Sequence, residues 1–387
     1  MSSYIHSLPN WPQFEWDRDK LGEPLAIVHR EQGRLLGRME ALGFKAQQEA
    51  VLKSLTEEVV KSSEIEGERL DPSQVRSSIA RRLGMDIGGL KPADRNVEGV
   101  VEMVLDATRH YEEPLREERL FSWHAALFPT GRSGMNRIRV GNWRDDNKGP
   151  MQVISGPTGK ERVHFEAPAA GKLASEMNRF LNWFNGSSER DWVVKAGLAH
   201  LGFVTIHPFD DGNGRIARAI ADMALARSER TAQRFYSMSA QIRQESDAYY
   251  DISERTQKGT LDVTPWMNWF LGCLSRAIEG AQTTLGTVLS KARFWEAVGD
   301  FPINERQRLV LNRLLDRFEG KLTTAKWAKL AKCSHDTALR DIAALVDRGI
   351  LVRNPEGGRS TSYALANIPA NANSGRFEEL WEPHKLR

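Results

Sequence analysis

The segment from His207 to Arg218 constrains the fold more than any other part of this chain. An apolar stretch with helical spacing ends at His207, and the proline that follows cannot continue a helix. A glycine-flanked turn at residues 212–214 comes next, and a second segment with an apolar helical stripe follows it. The sequence therefore predicts two helices joined by a short loop, with His207 at the mouth of that loop.

The same segment gathers the chemical groups that bind a triphosphate. Backbone N–H groups at a helix N-terminus and the guanidinium groups of Arg215 and Arg218 can bind phosphate, and the Asp211 carboxylate can hold a metal ion. Gly212 and Gly214 let the backbone approach an anion closely. Two plainer interpretations stay open: Asp211 as the N-cap of the second helix, and the two arginines as exposed, solubilising residues.

The segment resembles the Fic-family motif, H-x-F-x-[D/E]-G-N-G-R-x-x-R, at every specified position. Fic proteins typically transfer AMP from ATP to a hydroxyl group on another protein. The resemblance implies that His207 is the base that deprotonates this hydroxyl, that Asp211 holds Mg²⁺ or Mn²⁺ on the phosphates, and that Asn213 fixes the loop. It also implies adenine contacts from Tyr249 and Gln257, although many relatives have Asn where Gln257 stands.

A second motif, from Ser62 to Gly67, fits the inhibitory sequence of the same family, [S/T]-x-x-x-E-[G/N]. Ser62 and Glu66 fall on the apolar stripe of a helix predicted at 45–67, where a carboxylate needs a cation or other donors. The resemblance implies that Glu66 pairs with Arg218 and takes the place of the γ-phosphate, as in class II, self-inhibited Fic proteins. An ordinary helix end at Gly67 is the alternative.

The remaining sequence predicts a mainly α fold: a Fic helical core with a β-hairpin flap, plus a C-terminal winged-helix domain. Glycine, proline and short β-type runs at 151–168 predict the hairpin, in the place of the flap on which Fic proteins dock a target by strand addition. An ordinary surface hairpin is the alternative. The first strand of this flap is assigned to Val153, Ile154, Ser155 and Gly156.

Changes in composition and the proline and glycine positions divide the chain into parts. The opening residues resemble the Trp-rich N-terminal module of one bacterial Fic subgroup. The predicted parts are an N-terminal helical module with the inhibitory helix (1–110), the catalytic core (111–300), the winged helix (301–366) and a polar tail (367–387).

Residues 303–366 resemble a winged helix, in which Ser334 caps the second helix of a helix-turn-helix. We expect Leu339, Ile342 and Leu345 in the core of this domain, Asp341 on its outer face and the wing tip at 355–359. The fold alone does not establish DNA binding. DNA binding through 303–366, protein docking and homodimer formation all stay open.

Composition limits the other functions. The chain has 54 basic and 51 acidic residues, so it carries no whole-protein charge signal for nucleic acid. Its two cysteines exclude a disulfide framework and a cysteine-based zinc site, and they suit a reducing compartment. The sequence has no apolar run long enough to span a membrane. We therefore expect a cytoplasmic protein without membrane contact.

Together these patterns predict a self-inhibited protein adenylyltransferase that moves AMP from Mg-ATP to a Tyr, Ser or Thr hydroxyl of a target protein and of itself, and that can also remove AMP. Two alternatives stay open: a Fic enzyme with other phosphoryl or phosphodiester transfer chemistry, and a winged-helix DNA-binding regulator whose core senses nucleotide. The sequence does not name the target, the oligomeric state, the signal that relieves inhibition, or the balance between AMP addition and removal.

Overall fold

The structure is a computed structural model that describes residues 4–366 apart from 86–89, 148, 157–159, 188, 190, 300, 316–319 and 355–360. Contacts divide the chain into two compact units, Met1–Gln282 and Thr283–Arg387. The predicted wing tip and the tail at 367–387 lie outside the described residues. The predicted domain boundary at 110/111 falls inside the first unit, and the predicted boundary at 300/301 falls inside the second. Both boundaries stay predictions.

The first unit is mainly α, which confirms the predicted fold class. Its helices are α1 (Arg18–Glu40), α2 (Phe44–Ile65), α3 (Pro72–Arg82), α4 (Arg95–Arg109), α5 (Glu117–Leu127), α6 (Leu173–Asn185), α7 (Trp192–Ile206), α8 (Asn213–Glu229), α9 (Met238–Gln244), α10 (Ser246–Gln257) and the first part of α11 (Thr264–Val298). Among the helices of the described residues, none has both the length and the apolar character that a membrane span requires.

Helix α7 forms the centre of the first unit, and almost every one of its residues is buried. It begins because the Asp191 side chain accepts hydrogen bonds from the first free N–H groups of the helix. Gly197 lets α11 approach closely, since a Cβ at this position would lie 2.9 Å from the Met267 sulfur. Helix α8 packs along α7, so the loop between them is held at both ends by buried helices.

Two small antiparallel hairpins stand beside these helices. The predicted hairpin is present as β3 (Gln152–Ser155) and β4 (Arg162–Glu166), with an irregular register between Val153 and Ile154. Gly156 follows β3 with φ near +103°, a conformation that favours glycine. The second hairpin, β1 (Arg132–Ser133) and β2 (Asn136–Arg137), was not predicted, because strands of two residues leave no periodic pattern.

The second unit combines three short helices with a small sheet. After the end of α11 it contains α12 (Glu305–Leu315), β5 (Leu322–Thr323), α13 (Thr324–Ala331), α14 (His335–Asp347), β6 (Leu351–Arg353) and β7 (Ser362–Leu365), with the sheet order β5-β7-β6. Ser334 caps α14 by accepting the Thr337 N–H. This arrangement is compatible with the winged helix expected from the sequence, which stays a prediction.

The buried face of α14 differs from the one predicted. Leu339 is 48% exposed, whereas Asp341 is buried and pairs with Arg306 at 3.0 Å. Ile342 and Leu345 lie in the core as predicted, but Ala338 rather than Leu339 completes the buried face. Asp341 tolerates burial because the Arg306 guanidinium and a second donor, the Asn304 amide at 3.0 Å, satisfy its oxygens.

Candidate active site

His207 ends α7 in a left-handed conformation, with φ near 51°, and its backbone N–H donates to the Phe203 carbonyl. Its Nδ1 lies 3.2 Å from the Val204 carbonyl, an acceptor, so Nδ1 carries the proton in this bond and Nε2 keeps its lone pair. Burial lowers the pKa of His207, and the nearby charge of Arg144 lowers it further. The ring is therefore neutral near pH 7 and can accept a proton at Nε2.

Asn213 closes the loop that follows His207. Its Oδ1 accepts the Phe209 N–H at 3.0 Å, and its Nδ2 donates to the Phe209 carbonyl at 2.8 Å. Phe209 is buried and stacks on the His124 ring, with the ring centroids 4.1 Å apart. The loop is thus fixed both by paired hydrogen bonds and by an aromatic anchor.

Asp211 does not cap α8, so the N-cap interpretation is wrong. The N-cap is Gly212, whose φ of 81° turns the chain into the helix. The Asp211 carboxylate instead accepts the Gly212 N–H at 2.5 Å and the Ser133 hydroxyl from β1. Sequence patterns gave no signal for Ser133, which lies 78 residues away in the chain.

The surroundings of Asp211 suit a metal that is shared with a phosphate ligand. Within the described ranges, no cluster of three His, Cys, Asp or Glu side chains could hold a metal by itself. Mg²⁺ is commonly bound through one or two carboxylates together with substrate phosphates. Asp211, beside the N-terminus of α8, meets this requirement.

The two glycines of the loop allow close contacts, with Glu66 at Gly214 and with Phe128 at Gly212. A Cβ at position 214 would overlap the Glu66 carboxylate, and one at position 212 would lie 2.9 Å from the Phe128 ring. The Glu66 carboxylate therefore rests against the first turn of α8, where the helix dipole favours negative charge. It takes the position that an anionic ligand of this turn would take.

Arg218 and the predicted inhibitory motif meet in the structure. The Arg218 Nη2 donates to the Glu66 carboxylate at 2.8 Å and to the Ser62 carbonyl at 2.9 Å, while its Nε donates to the Ser62 hydroxyl at 3.0 Å. Burial acts to lower the pKa of Arg218, but the charge of Glu66 and its hydrogen bond, together with the charges of Tyr249 and Glu58, outweigh burial and raise the pKa. Glu66 is the C-cap of α2, and Gly67 follows it with φ near 79°.

Arg215 is paired as well, which the sequence did not suggest. Its Nη1 donates to Glu68 at 2.6 Å, and its guanidinium lies over the Phe128 ring. The Glu68 side chain is 45% exposed, so water reaches its carboxylate. The left-handed Gly67 ends α2 and brings the next residue back toward α8, where Glu68 meets Arg215.

Two guanidinium nitrogens in this site can donate to a ligand. Among the described residues, the Arg215 Nε and the Arg218 Nη1 are buried without a hydrogen-bond partner of good geometry. A buried donor without a partner is costly, so such groups favour a ligand that can accept from them. Phosphate oxygens have this chemistry.

Tyr249 and Gln257 lie behind the turn. The Tyr249 hydroxyl is 2.9 Å from the His200 Nε2, and burial raises the pKa of this tyrosine. The Gln257 amide donates to the Val204 carbonyl at 3.3 Å, the same oxygen that accepts from the His207 ring. Gln257 thus supports the turn from behind, and adenine contacts from these two residues stay a prediction.

The β3–β4 hairpin presents its first strand to solvent. All of β3 is exposed, including Val153 and Ile154, and within the described part of the chain β4 is its only paired strand. Ser155 bonds across the hairpin to His164, which in turn contacts Glu254 of α10 at 2.6 Å. The hairpin therefore keeps one strand edge open while its second strand is tied to the helical core.

Residues 114–225 match the Fic/DOC family, and residues 4–85 match a domain of unknown function, DUF4172. The chain is 25% identical over 272 residues to the "Protein adenylyltransferase Fic" of Drosophila yakuba, which covers 67% of this chain and 46% of that protein. The chain therefore spans about half the length of the curated relatives that it matches.

The fold is similar to crystal structures of two bacterial proteins. A Fic family protein from Desulfovibrio desulfuricans G20 has a TM-score of 0.50 and 20% identity, covering 89% of this chain and 96% of that one. A Fic domain-containing signaling protein from Bacteroides thetaiotaomicron has a TM-score of 0.50 and 21% identity, covering 68% and 97%. The helical core, the loop and the hairpin thus define a Fic-domain protein. Residues 114–225 of this chain therefore carry a Fic/DOC domain.

Proposed function

We propose that this protein transfers AMP from Mg-ATP to a hydroxyl side chain of a target protein, and that Glu66 restrains the transfer. The observation that carries the proposal is the 2.8 Å contact between Glu66 and Arg218, a buried arginine of the phosphate-binding loop. The carboxylate, which comes from a separate helix, accepts a hydrogen bond from the guanidinium that a terminal phosphate would bind. The similarity to proteins named adenylyltransferases supports the choice of reaction.

The α8 N-terminus and its arginines would bind the phosphates of ATP. Backbone N–H groups at residues 213 and 214, together with the Arg215 Nε and the Arg218 Nη1, would supply the donors. Asp211 would hold the metal together with the phosphate oxygens. When bound, the metal neutralises charge on the phosphates.

His207 would take the proton of the target hydroxyl. Because Nδ1 is committed to the Val204 carbonyl, only Nε2 can accept it. The hydroxyl oxygen attacks the α-phosphorus, the bond from this phosphorus to the bridging oxygen of pyrophosphate breaks, and the hydroxyl proton passes to Nε2. The loop N–H groups and Arg215 stabilise the negative charge that the phosphates carry.

Glu66 would restrain this reaction by competing for Arg218. A hydrogen bond to a charged group contributes about 1.5–3 kcal/mol, and about 1.4 kcal/mol corresponds to a tenfold change in an equilibrium constant. A γ-phosphate must displace the carboxylate before it can use the same guanidinium. Loss of Glu66 should therefore raise AMP transfer by roughly ten- to a thousandfold.

The test is incorporation of label from α-³²P-ATP into the protein itself. We expect little label in the wild type, strong label in Glu66→Gly, and a loss of roughly 10²- to 10⁴-fold when His207→Ala is added. Glu64→Gly is the matched control, because Glu64 lies on the same helix but pairs with Lys61 rather than with the loop.

Each part of the proposal has a result that would contradict it. Equal labelling of the wild type and Glu66→Gly would show that Glu66 does not restrain the enzyme. Label from γ-³²P-ATP rather than α-³²P-ATP would replace AMP transfer by phosphate transfer. Full activity of the His207→Ala variant would remove His207 as the base.

A further inference from the structure

Arg144 joins the base-bearing turn to the hairpin. Its side chain is fully buried, and its Nε donates to the His207 carbonyl at 2.8 Å. Its Nη2 donates to the Pro168 carbonyl at 2.5 Å, and its backbone N–H donates to the Pro208 carbonyl at 2.9 Å. One residue therefore contacts both sides of the site.

Pro168 lies at the base of the hairpin. Strand β4 ends at Glu166, and the next residue, Ala167, donates its N–H to the Met151 carbonyl at 2.9 Å, just before β3 begins. A shift of the Pro168 carbonyl therefore moves both strands together. The Arg144 guanidinium connects this end of the hairpin to the backbone of His207.

Asp146 fixes the orientation of the link. One of its carboxylate oxygens accepts from Arg144 at 2.9 Å, and the other accepts the Ala170 N–H at 2.6 Å. The guanidinium is thus held by a carboxylate and two carbonyls whose directions differ. A planar guanidinium can serve three such acceptors at once, whereas a lysine ammonium keeps the charge but not this geometry.

We propose that Arg144 is a positioning residue that sets the separation between His207 and the β3–β4 hairpin. The inference rests on the proposed function, in which a target segment docks on β3 and presents its hydroxyl to the His207 Nε2. Transfer between bound groups is steep in distance, and a displacement of about 1 Å can cost about 10²-fold in rate. Arg144 touches neither reactant and acts through the two backbone segments that it joins.

Arg119 provides a matched control for the loss of a buried arginine. It is also nearly buried, pairs with Asp106 at 2.7 Å, and donates to the backbone carbonyls of Glu113, Asp106 and His110. Its contacts lie between α4 and α5, away from His207 and the hairpin. Arg119→Lys therefore measures the general cost of replacing such an arginine by lysine.

The experiment compares Arg144→Lys with Arg119→Lys, both in the Glu66→Gly background. The readouts are the rate of labelling from α-³²P-ATP over a range of ATP concentrations, the melting temperature, and hydrogen exchange of the hairpin amides. For Arg144→Lys we expect kcat to fall roughly 10- to 100-fold, KM for ATP to stay within about twofold, and exchange at 151–156 and 161–167 to accelerate. Arg119→Lys should keep both kcat and the exchange pattern at a similar loss of melting temperature.

Asp146→Asn is the second variant, for the case in which Arg144→Lys does not fold. It keeps the arginine, and we expect a smaller fall in kcat, again with little change in KM for ATP. The proposal is overturned if the folded variants label like Arg119→Lys, if the loss appears in KM for ATP, or if hairpin exchange is unchanged. Absence of any label in the Glu66→Gly parent would instead defeat the proposed function, while hydrogen exchange would still test the link itself.

Discussion

The two segments that reach the loop from outside, the end of α2 and the β3–β4 hairpin, are held in opposite ways. The α2 segment is seated by buried polar groups, with Ser62 and Glu58 almost inaccessible to solvent. The hairpin exposes all of β3, and its link to α10 is a partly exposed cluster of charges around Glu254. The side proposed to restrain nucleotide binding is thus built like a protein core, while the side proposed to meet a target is exposed.

Glu58 provides a second buried polar contact for α2, two turns before Glu66. Its carboxylate accepts the Ser237 hydroxyl at 2.7 Å, the Ser239 N–H at 3.0 Å and the Ser239 hydroxyl. Glu58, Ser62 and Glu66 follow each other at intervals of four residues, so all three lie on one face of α2. The contact between Glu66 and Arg218 therefore depends on a helix that is anchored elsewhere.

Of the changes to the two segments, loss of the Glu58 anchor should have the largest effect on the labelling rate. Glu58→Ala leaves the Ser237 and Ser239 donors buried without an acceptor, which costs about 1–3 kcal/mol. We expect labelling from α-³²P-ATP to rise about tenfold in the otherwise wild-type protein. Glu57→Ala, at the adjacent exposed position, should leave labelling unchanged.

A double-mutant cycle distinguishes release of inhibition from other effects. In the Glu66→Gly background, Glu58→Ala should add nothing to the labelling rate, because the carboxylate that Glu58 holds in place is already gone. A similar rise in both backgrounds would show that Glu58 acts on the enzyme by another route.

Weakening the charged anchor of the hairpin should have a smaller effect, in the opposite direction. Glu254 contacts Arg162 at 2.8 Å, His164 at 2.6 Å and Lys258 at 2.6 Å. Although burial raises it, the pKa of Glu254 is lowered to about 2 by its hydrogen bonds to these three side chains. Partly exposed pairs each contribute about 0–1 kcal/mol, so Glu254→Gln in the Glu66→Gly background should lower labelling about threefold.

The direction of the Glu254 pKa shift determines the pH range in which this anchor contributes to stability. A depressed carboxyl pKa stabilises the anchor above the unfolded value of about 4.3, and the contribution is lost as the pH falls toward 2. The Glu254 carboxylate should therefore stay ionised between pH 6 and 8, so its own titration should not change the loss in Glu254→Gln over that range. Asp251→Asn, which breaks an exposed pair on the same helix, is the control, and an equal loss there would argue against a specific anchor.

Local patterns in the sequence predicted the parts of the site that lie close together in the chain. Pro208 and the glycines at 212 and 214 determine the turn by backbone stereochemistry, and the spacing of Ser62 and Glu66 places both on one helix face. The pairing of Glu66 with Arg218 came from the family resemblance, because no local pattern specifies a contact across 152 residues.

The missed residues act over long separations without any periodic signal. Arg144 meets His207 across 63 positions, and Glu58 meets Ser237 across 179. A buried charge is unexpected from sequence, because it is stable only where the fold brings partners to it. Asp341 was misplaced for the same reason, since its partner Arg306 lies on another helix.

The smallest effect should come from the second carboxylate that contacts the loop, Glu68. Like Glu66 it pairs with an arginine of the motif, Arg215, at 2.6 Å, but its side chain is 45% exposed and water competes for it. Such pairs contribute about 0–1 kcal/mol, and a glutamine can still accept one hydrogen bond from Arg215. Glu68→Gln should therefore raise labelling from α-³²P-ATP by no more than about threefold, far less than Glu66→Gly. The comparison is made at equal ATP concentration, with Glu64→Gln as the control, because Glu64 pairs with Lys61 rather than with an arginine of the motif. A rise as large as that of Glu66→Gly would show that the two carboxylates restrain the loop together. The difference in side-chain exposure, 29% for Glu66 and 45% for Glu68, would then not decide which of them matters.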